Sequence, residues 1–383
     1  MASPKLRFKA FDGDWASKIL EELADVERGK FSIRPRNDPR YFGGDMPFVQ
    51  TGDVTGSDMY LRGYSQTLNQ DGVKVSKVFP ADTILITIAA NIGDTTITQY
   101  PVACPDSVVA IQPKKEQANT IFLKNLLDLQ KENLDSQSTQ NAQKNINLQV
   151  LKPLELIVPS KEEQTKIASF LSAVDEKITQ LSQKHELLSQ YKQGMMQKLF
   201  SQQIRFKADD GSAFGEWENK KLGDICAHFQ SGKTITSASI SEVGDYPVYG
   251  GNGLRGFTDS YTHEGVFALI GRQGALCGNI NLVNGKTFIS EHAIAVQTNI
   301  NSSTEWLSRW LDFMKLNRFS ESSAQAGLAV NKLVKFDIAV PCLEEQTKIA
   351  NFLSAIDQKI EVVAQQIEQA KQWKKGLLQQ MFV

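Results

Sequence analysis

Apolar residues recur at alternating spacings of four and three along two long segments of this 383-residue chain. Such a heptad spacing is typical of a helix that packs along one narrow stripe. It predicts two long helices that pair with each other or with equivalent partner surfaces; the alternative is that each packs on its own domain. The stripes run through Ile167, Leu171, Val174, Ile178, Leu181, His185, Leu188, Lys192, Met195 and Leu199, and through Ile349, Leu353, Ile356, Ile360, Val363, Ile367, Ala370, Lys374, Leu377 and Met381.

Both stripes break at the same place. Lys192 and Lys374 interrupt them, and each lysine follows an aromatic residue, Tyr191 or Trp373. Matching defects favour pairing of the two helices, and domains at opposite ends require them to run antiparallel. A helix of about 40 residues is roughly 60 Å long. The pair is therefore predicted to act as a spacer between two domains.

The helices belong to a longer internal repeat. Residues 158–168 recur as residues 340–350, and 14 of the 17 positions from 162 to 178 are identical in the second copy. A lead-in, residues 6–10, returns as residues 204–208. The chain thus reads as lead-in, domain and helix, twice over. We predict a lead-in and first domain over 1–157, a central helix over 158–202, a second lead-in and domain over 203–339, and a C-terminal helix over 340–383.

The helix starts carry recognisable capping signals. Ser160 precedes the first helix and Glu163 follows three residues later, which is the capping-box pattern. The second copy keeps Glu345 but has Cys342 at the cap position. The sequence predicts a weaker cap there.

The two variable domains mix strand and helix signals. Residues 81–88 and 265–270 are predicted to form buried strands followed by glycine turns, and residues 121–129 and 305–316 to form helices. The predicted fold class is α+β: two similar α/β domains with a curved sheet, separated by an antiparallel pair of coiled-coil helices and related by a pseudo-twofold repeat.

Composition narrows the function classes. The net charge of −1 argues against a chain that binds DNA unaided through a broad basic face. The four cysteines are too far apart in sequence for zinc-knuckle spacing, so we predict reduced thiols and no metal site. No apolar stretch has signal-peptide or membrane-span character, which favours a cytoplasmic protein.

Motifs for catalysis are weak. Ser231-Gly232-Lys233-Thr234 resembles the end of a phosphate-binding loop, but the position that needs the first glycine is Ala227. Residues 37–40 resemble an amino-methyltransferase motif only faintly. We therefore predict a protein without a catalytic, cofactor or metal site.

Clusters of Arg, Lys, Asn and Gln instead suggest nucleic-acid contact. Arg, Asn and Gln form bidentate pairs with base edges, whereas Lys, Ser and Thr suit phosphates. The competing interpretation is a set of solvated turns. The candidate DNA-binding residues are Arg28, Lys30, Arg34, Arg36 and Arg40 in the first domain, and Ser231, Lys233, Thr234, Tyr249, Asn252, Arg255, Arg272 and Gln273 in the second.

Taken together, these segments resemble the specificity (S) subunit of type I restriction-modification systems over essentially the whole chain. The most specific parts are the Val-Pro-x-x-Glu-Glu-Gln-x-Lys-Ile-Ala repeats that begin at Val158 and Val340. The lead-ins, residues 41–45 with 51–53, and residues 246–253 add weaker support.

The resemblance implies that each variable domain reads one half of a bipartite, asymmetric double-stranded DNA target. The paired helices would set the gap and dock two methyltransferase (M) subunits, and a motor-nuclease (R) subunit would join for cleavage. S-adenosylmethionine, ATP and magnesium would belong to those partners. The residues expected to pair the helices or dock partners are Ile167, Leu171, Val174, Ile178, Leu181, Leu188, Ile349, Leu353, Ile356, Ile360, Val363 and Ile367.

Two other functions stay open at this point. A coiled-coil scaffold or orphan subunit that binds proteins would show no base preference. A nucleotide hydrolase using Lys233 would bind nucleotide as an isolated chain.

Overall fold

The computed structural model describes residues 3–137, 145–274, 276–319 and 327–383. Contacts divide the chain into two units. The first unit comprises residues 1–180 and 366–383, and the second comprises residues 181–365. Each of two long helices contributes one part to each unit. These helices are α7 (Lys161–Phe200) and α10 (Leu343–Met381).

The described residues of the first unit form ten strands and six short α-helices before α7. The strands are β1 (Ala16–Ile19), β2 (Ala24–Arg28), β3 (Phe42–Phe48), β4 (Gln66–Leu68), β5 (Val78–Phe79), β6 (Ile84–Thr87), β7 (Thr95–Ile97), β8 (Val102–Ala103), β9 (Val108–Pro113) and β10 (Glu155–Val158). The helices are α1 (Leu20–Leu23), α2 (Thr51–Thr55), α3 (Gln70–Lys74), α4 (Thr120–Leu129), α5 (Lys131–Ser136) and α6 (Leu148–Leu151).

In the part of the second unit that the structure describes, there are ten strands and two short α-helices before α10. The strands are β11 (Glu218–Lys221), β12 (Cys226–Ser231), β13 (Tyr246–Gly250), β14 (Gly253–Thr258), β15 (His263–Glu264), β16 (Phe267–Gly271), β17 (Ile280–Val283), β18 (Lys286–Ile289), β19 (Ala293–Thr298) and β20 (Asp337–Val340). The helices are α8 (Thr304–Met314) and α9 (Val330–Leu333).

Strand order is the same in both units. The first has a four-stranded sheet β2-β9-β6-β7, a second sheet β4-β3-β8-β5 and a two-stranded ladder β1-β10. The second has β12-β19-β16-β17, β14-β13-β18-β15 and β11-β20 in the corresponding places. In each second sheet one pair is parallel, β3 with β8 or β13 with β18. The predicted curved sheet is therefore divided into two sheets, and the predicted α+β repeat is confirmed.

The length difference between the domains is concentrated in one connection. Residues 49–65 link β3 to β4 and form α2, whereas residues 251–252 alone link β13 to β14. The strands predicted over residues 81–88 and 265–270 are present as the shorter β6 and as β16, which begins at Phe267. The predicted helix over 305–316 ends earlier, at Met314, because Lys315 adopts a left-handed conformation with φ of 49°.

The start of α7 differs in part from the predicted capping box. The Ser160 hydroxyl accepts a hydrogen bond from the Glu163 backbone N–H at 3.3 Å, as expected. The Glu163 carboxylate, however, accepts two hydrogen bonds from Arg7, a lead-in residue, at 2.8 and 2.7 Å. A long-range ion pair has thus replaced the local half of the box.

The helices pack against each other in antiparallel fashion within each unit. In the first unit, Ile167 and Leu171 from the start of α7 share a core with Leu377 and Met381 from the end of α10. In the second, the end of α7 shares a core with the start of α10. The predicted helix pairing is therefore confirmed.

The lysines that interrupt the apolar stripes are paired across the helices. Lys192 lies 2.6 Å from Asp357 in the second unit, and Lys374 lies 2.6 Å from Asp175 in the first. The two pairs join corresponding repeat positions. An unpaired charge in the stripe would be costly, so these contacts stabilise this alignment of the helices over a shifted one.

Each helix ends by inserting a phenylalanine into a domain core. Phe382 stacks on Phe122 of α4, with ring centroids 5.0 Å apart. Phe200 stacks on Phe313 of α8 at 5.2 Å. Within the described ranges, no helix is both long enough and apolar enough to cross a membrane.

Candidate nucleic-acid interface

The predicted DNA-binding segments of the second unit meet at one short stretch of backbone, residues 289–292. Lys233 donates its backbone N–H to the Ile289 carbonyl at 2.8 Å, and its own carbonyl accepts from Glu291. The Tyr249 carbonyl accepts from the Ser290 N–H at 2.8 Å, and the Arg272 N–H donates to the His292 carbonyl at 2.9 Å. The ends of β12, β13 and β16 are therefore held side by side.

The side chains at this junction are available to a ligand. The β13–β14 turn lies against the end of β16, since a Cβ on Gly251 would meet the Gly271 Cα at 3.1 Å. Arg272, Tyr249 and Ser231 are half-buried. The exposed members are Lys233, Thr234, Asn252, Arg255 and Gln273.

Gly232 is required by the close approach of two backbone segments. A Cβ at this position would lie 2.3 Å from the Ile289 carbonyl oxygen. The chain after β12 continues alongside Ser290 rather than opening a helix. A phosphate-binding loop needs a helix N-terminus at that point, so this geometry does not suit a nucleotide site.

The first unit repeats this arrangement at Gly29-Lys30. A Cβ on Gly29 would lie 2.3 Å from the Pro105 carbonyl oxygen, and the Gly29 N–H donates to Val108, as that of Gly232 does to Ala293. Lys30 therefore occupies the position of Lys233, and both are exposed. The sequence identified both lysines as candidates but not as equivalent positions of the repeat.

The other candidate DNA-binding residues of the first unit are exposed, but three of them already contact acids. Arg36 lies 2.8 Å from Asp106, and Arg34 lies 3.8 Å from the same carboxylate. Arg40 and Asp38 form a bidentate pair, which lowers the pKa of Asp38. Arg28, at the end of β2, is also exposed.

These contacts change the electrostatic picture of the cluster. Sequence alone shows one acid, Asp38, among the five basic residues, whereas the fold adds Asp106 from a distant loop. Lys30 and Arg28 are therefore the better candidates for phosphate contact. Arg34 and Arg36 would have to break their ion pairs with Asp106 before they could contact a DNA phosphate.

The first unit has different residues where the second carries its Gly-Asn turn. Since Phe48 pairs with Ala103 as Val248 pairs with Phe288, Gln50 corresponds to Gly250. Gln50 is half-buried and its amide donates to the Gln66 side chain at 3.0 Å. Sequence reasoning missed Gln50. The signal was the Thr-Gly-Asp segment that follows it.

A second difference lies at the end of β6. Hydrogen bonds from Ile88 to Ser107 and from Arg272 to His292 place Ile88 at the position of Arg272. The first unit thus has an apolar residue where the second has a guanidinium. The same frame presents different chemistry in the two units.

A pair of histidines lies near the second interface. The rings of His228 and His263 are 5.2 Å apart and both contact Phe267. Burial has the largest effect on His263 and the charges of His228 and Lys233 add to it, so that the pKa of His263 is lowered to about 4. Burial and Lys233 also lower the pKa of His228. Both rings are therefore neutral at physiological pH, and we find no side-chain group in the described residues that could hold a metal ion.

None of the residues predicted to pair the helices or dock partners is exposed. They are buried or half-buried and leave little surface for another protein. The buried ones are Ile167, Leu171, Val174, Leu181, Ile349, Leu353, Ile356 and Val363, and the half-buried ones are Ile178, Leu188, Ile360 and Ile367.

Comparison with known families resolves what kind of protein has this duplicated frame. The type I restriction modification DNA specificity domain matches the chain twice, over residues 12–190 and 215–372. The chain belongs to this family. The two matches fall on the two repeats, and the family is a DNA-recognition component of restriction-modification systems.

Curated relatives and solved structures of the family extend the match to nearly the whole chain. The specificity subunit of the type I restriction enzyme EcoprrI from Escherichia coli is 29% identical over 332 residues, which cover 82% of this chain and 80% of that protein. That of MjaVIII from Methanocaldococcus jannaschii is 24% identical, with 88% of each chain covered. The fold matches the S subunit of the M. genitalium type I system at 20% identity and a TM-score of 0.68, over 100% of this chain and 99% of that one.

Proposed function

We propose that this chain gives a type I restriction-modification complex its DNA sequence preference, with each unit reading one half of a bipartite, asymmetric target. The observation that carries the proposal is the pair of equivalent junctions at Lys30 and Lys233. They share a backbone frame but present different neighbours, such as Ile88 and Arg272. Equal frames suit phosphates, which are the same everywhere, and different neighbours suit different base sequences.

The paired helices set the gap between the half-sites and dock two methyltransferase subunits. A motor-nuclease subunit joins for cleavage. The chain itself catalyses nothing, and S-adenosylmethionine, ATP and magnesium act on the partners, inside the cell. A solved structure that describes complex assembly of a type I restriction-modification system supports this proposal. Its chain is 15% identical to this one and matches its fold with a TM-score of 0.60, over 96% of this chain and 97% of that chain.

The first experiment is a genome-wide methylation map of a host with the chain and its methyltransferase partner, against a host lacking only the chain. We expect a bipartite motif with a fixed gap that depends on the chain. Identical maps would contradict the proposal and favour a protein-binding scaffold.

An exchange variant tests the division of labour between units. Residues 15–157 are replaced by the first recognition domain of a relative with another target. One half of the motif should change, while the other half and the gap stay the same. Asn252→Ala is the matched reverse test. It should weaken the base preference only in the half of the motif that the exchange leaves unchanged.

A further inference from the structure

Two glutamines of the first unit form a side-chain pair in the place of the second unit's β13–β14 turn. Gln50 lies two residues after β3, and Gln66 is the first residue of β4. The Gln50 amide donates to the Gln66 carbonyl oxygen at 3.0 Å. Gln66 is exposed and Gln50 is half-buried. Gln50 corresponds to Gly250, which lies against Ser290 at the second junction, so the pair occupies the same point of the frame.

The hydrogen bond between the amides leaves the pair with one acceptor and one donor. It uses one hydrogen of the Gln50 amino group and one lone pair of the Gln66 carbonyl. The pair therefore keeps a carbonyl acceptor on Gln50 and an amino donor on Gln66. In the major groove, adenine is the only base that offers both a donor, its N6 amino group, and an acceptor, N7. The pair is complementary to that edge.

The Asp53 carboxylate braces both glutamines. Its Oδ2 accepts a hydrogen bond from the Gln50 backbone N–H at 2.8 Å and another from the Ser65 hydroxyl at 3.1 Å. Since Ser65 directly precedes Gln66, one half-buried carboxylate fixes the chain at both members of the pair. Side chains that are held in place before binding lose less conformational freedom when they bind. This bracing favours a recognition role over a pair of freely solvated amides.

The second unit has an arginine at this point of the frame. The register of β3 with β4 and of β13 with β14 places Gln66 at the position of Gly256, next to Arg255. The stem of Arg255 lies across Gly250, because a Cβ on that glycine would be 2.7 Å from the Arg255 Cδ. Arg255 is exposed, and a guanidinium carries donors only. Guanine offers two acceptors in the major groove, O6 and N7.

We propose that Gln50 and Gln66 together read an adenine in the first half of the target, and that Arg255 reads a guanine in the second half. The inference rests on the proposed function and assigns one base to each unit. It explains why position 250 is a glycine, since a side chain there would displace the stem of Arg255. It also assigns Asp53 as a positioning residue for the first half.

The test uses the full chain with its methyltransferase partner in a host cell. The methylation map of the unaltered chain should contain an A·T pair in the first half and a G·C pair in the second. The exchange of residues 15–157 identifies which half belongs to which unit.

Gln50→Leu and Gln66→Leu remove the amide groups of the pair while nearly keeping their size. Each variant should lose the preference for adenine at one position of the first half and leave the second half unchanged. Titrations of the purified complex with duplexes that differ only at that base pair measure the effect. The discrimination should fall by about ten- to a hundredfold.

Arg255→Gln makes the converse change in the second unit. It replaces a group that only donates by an amide that donates and accepts. The preference at one position of the second half should shift from guanine toward adenine, while the first half keeps its sequence. An unaltered guanine preference in this variant would overturn the assignment of Arg255.

Gln70→Leu is the matched control, because Gln70 is an exposed glutamine of the same unit at the start of α3. It should leave both halves of the motif unchanged. In every variant, the half that is read by the other unit reports that the complex still folds and assembles.

The outcomes separate this inference from the proposed function. If the unaltered chain directs no bipartite motif, the proposed function fails and the inference fails with it. If the motif appears but is the same in Gln50→Leu and Gln66→Leu, only the inference is overturned. An equal loss of affinity for every duplex sequence would mean that the amides contact phosphates, which would also overturn the reading of adenine.

Discussion

Both units fasten their lead-in to the start of a long helix through one buried glutamate, but with different sets of donors. In the first unit, Arg7 is the only side chain among the described residues that donates to the Glu163 carboxylate. In the second, Arg205 donates to Glu345 at 3.1 and 2.8 Å, and the Trp217 indole adds a donor at 3.1 Å. The corresponding indole nitrogen of Trp15 has no hydrogen-bond partner among the described residues.

The difference shows that one buried carboxylate depends on a single side chain and its repeat on two. Glu163 and Glu345 are 1% and 0% exposed, so neither can turn to water when a donor is lost. A buried charge without donors destabilises the folded state strongly. The unit with the simpler contact is thus the more vulnerable one.

The largest expected effect comes from removing the arginines. Arg7→Ala should destabilise the first unit more than Arg205→Ala destabilises the second, because Trp217 still donates to Glu345. We expect local amide exchange to increase by about tenfold more in the first case, the range of one hydrogen bond to a buried charge. Hydrogen exchange resolved by unit measures this.

A second variant sharpens the comparison. Trp217→Phe combined with Arg205→Ala removes the remaining donor and should make the second unit as sensitive as the first. Trp15→Phe with Arg7→Ala is the control and should add little. Equal exchange for the two single arginine variants would show that the indole contributes nothing.

The helices could be predicted from sequence because their signal is local and repeated. The heptad spacing predicted the apolar stripe of each helix. The matching interruptions at Lys192 and Lys374 predicted that the helices pair, and in the structure these lysines form ion pairs with Asp357 and Asp175 of the opposite helix. The strand order could not be predicted in the same way. Short strands such as β3 and β8 are far apart in sequence, and nothing local marks them as parallel neighbours.

The candidate interface was predictable in composition but not in arrangement. Lys30 and Lys233 were both singled out, yet their equivalence depends on Gly29 and Gly232 packing against remote carbonyl groups. Asp106 lies 70 positions after Arg36, so its ion pair left no local trace. Glu163 was assigned to a capping box for the same reason, because its actual partner, Arg7, is also far away in the sequence.

Acid should separate the two units by a smaller margin. All four histidines lie in the second unit, and residues 1–180 and 366–383 contain none. The unfolded chain takes up protons near pH 6.5, but the folded pKa of His263 is about 4. The unfolded state therefore binds more protons in this window, and the stability of the second unit falls as the pH falls from about 6.5 to about 4.

Hydrogen exchange across that pH window, corrected for the intrinsic pH dependence of exchange, measures the effect. The second unit should lose protection relative to the first. His228→Phe with His263→Phe should flatten this difference, because Phe267 can accept either ring and no titrating group remains in the pair. An undiminished pH response in the double variant would mean that carboxylates, not these histidines, cause it.

The smallest expected effect concerns the equivalent lysines. If Lys30 and Lys233 each contact one phosphate, Lys30→Ala and Lys233→Ala should weaken binding of the complex to every DNA sequence by a similar factor. Each should also lower the slope of affinity against salt by about one unit. Titrations of target and unrelated duplexes at several salt concentrations measure both quantities.

Arg36→Ala provides the internal comparison, since DNA would have to displace Asp106 before Arg36 could contribute. The loss of DNA affinity in Arg36→Ala should therefore be smaller than that in Lys30→Ala, although both residues are exposed basic side chains in the same cluster. If Lys30→Ala instead relaxed one half of the target and left the salt slope unchanged, Lys30 would be reading a base. The two units would then differ even at the position where their backbones agree most closely.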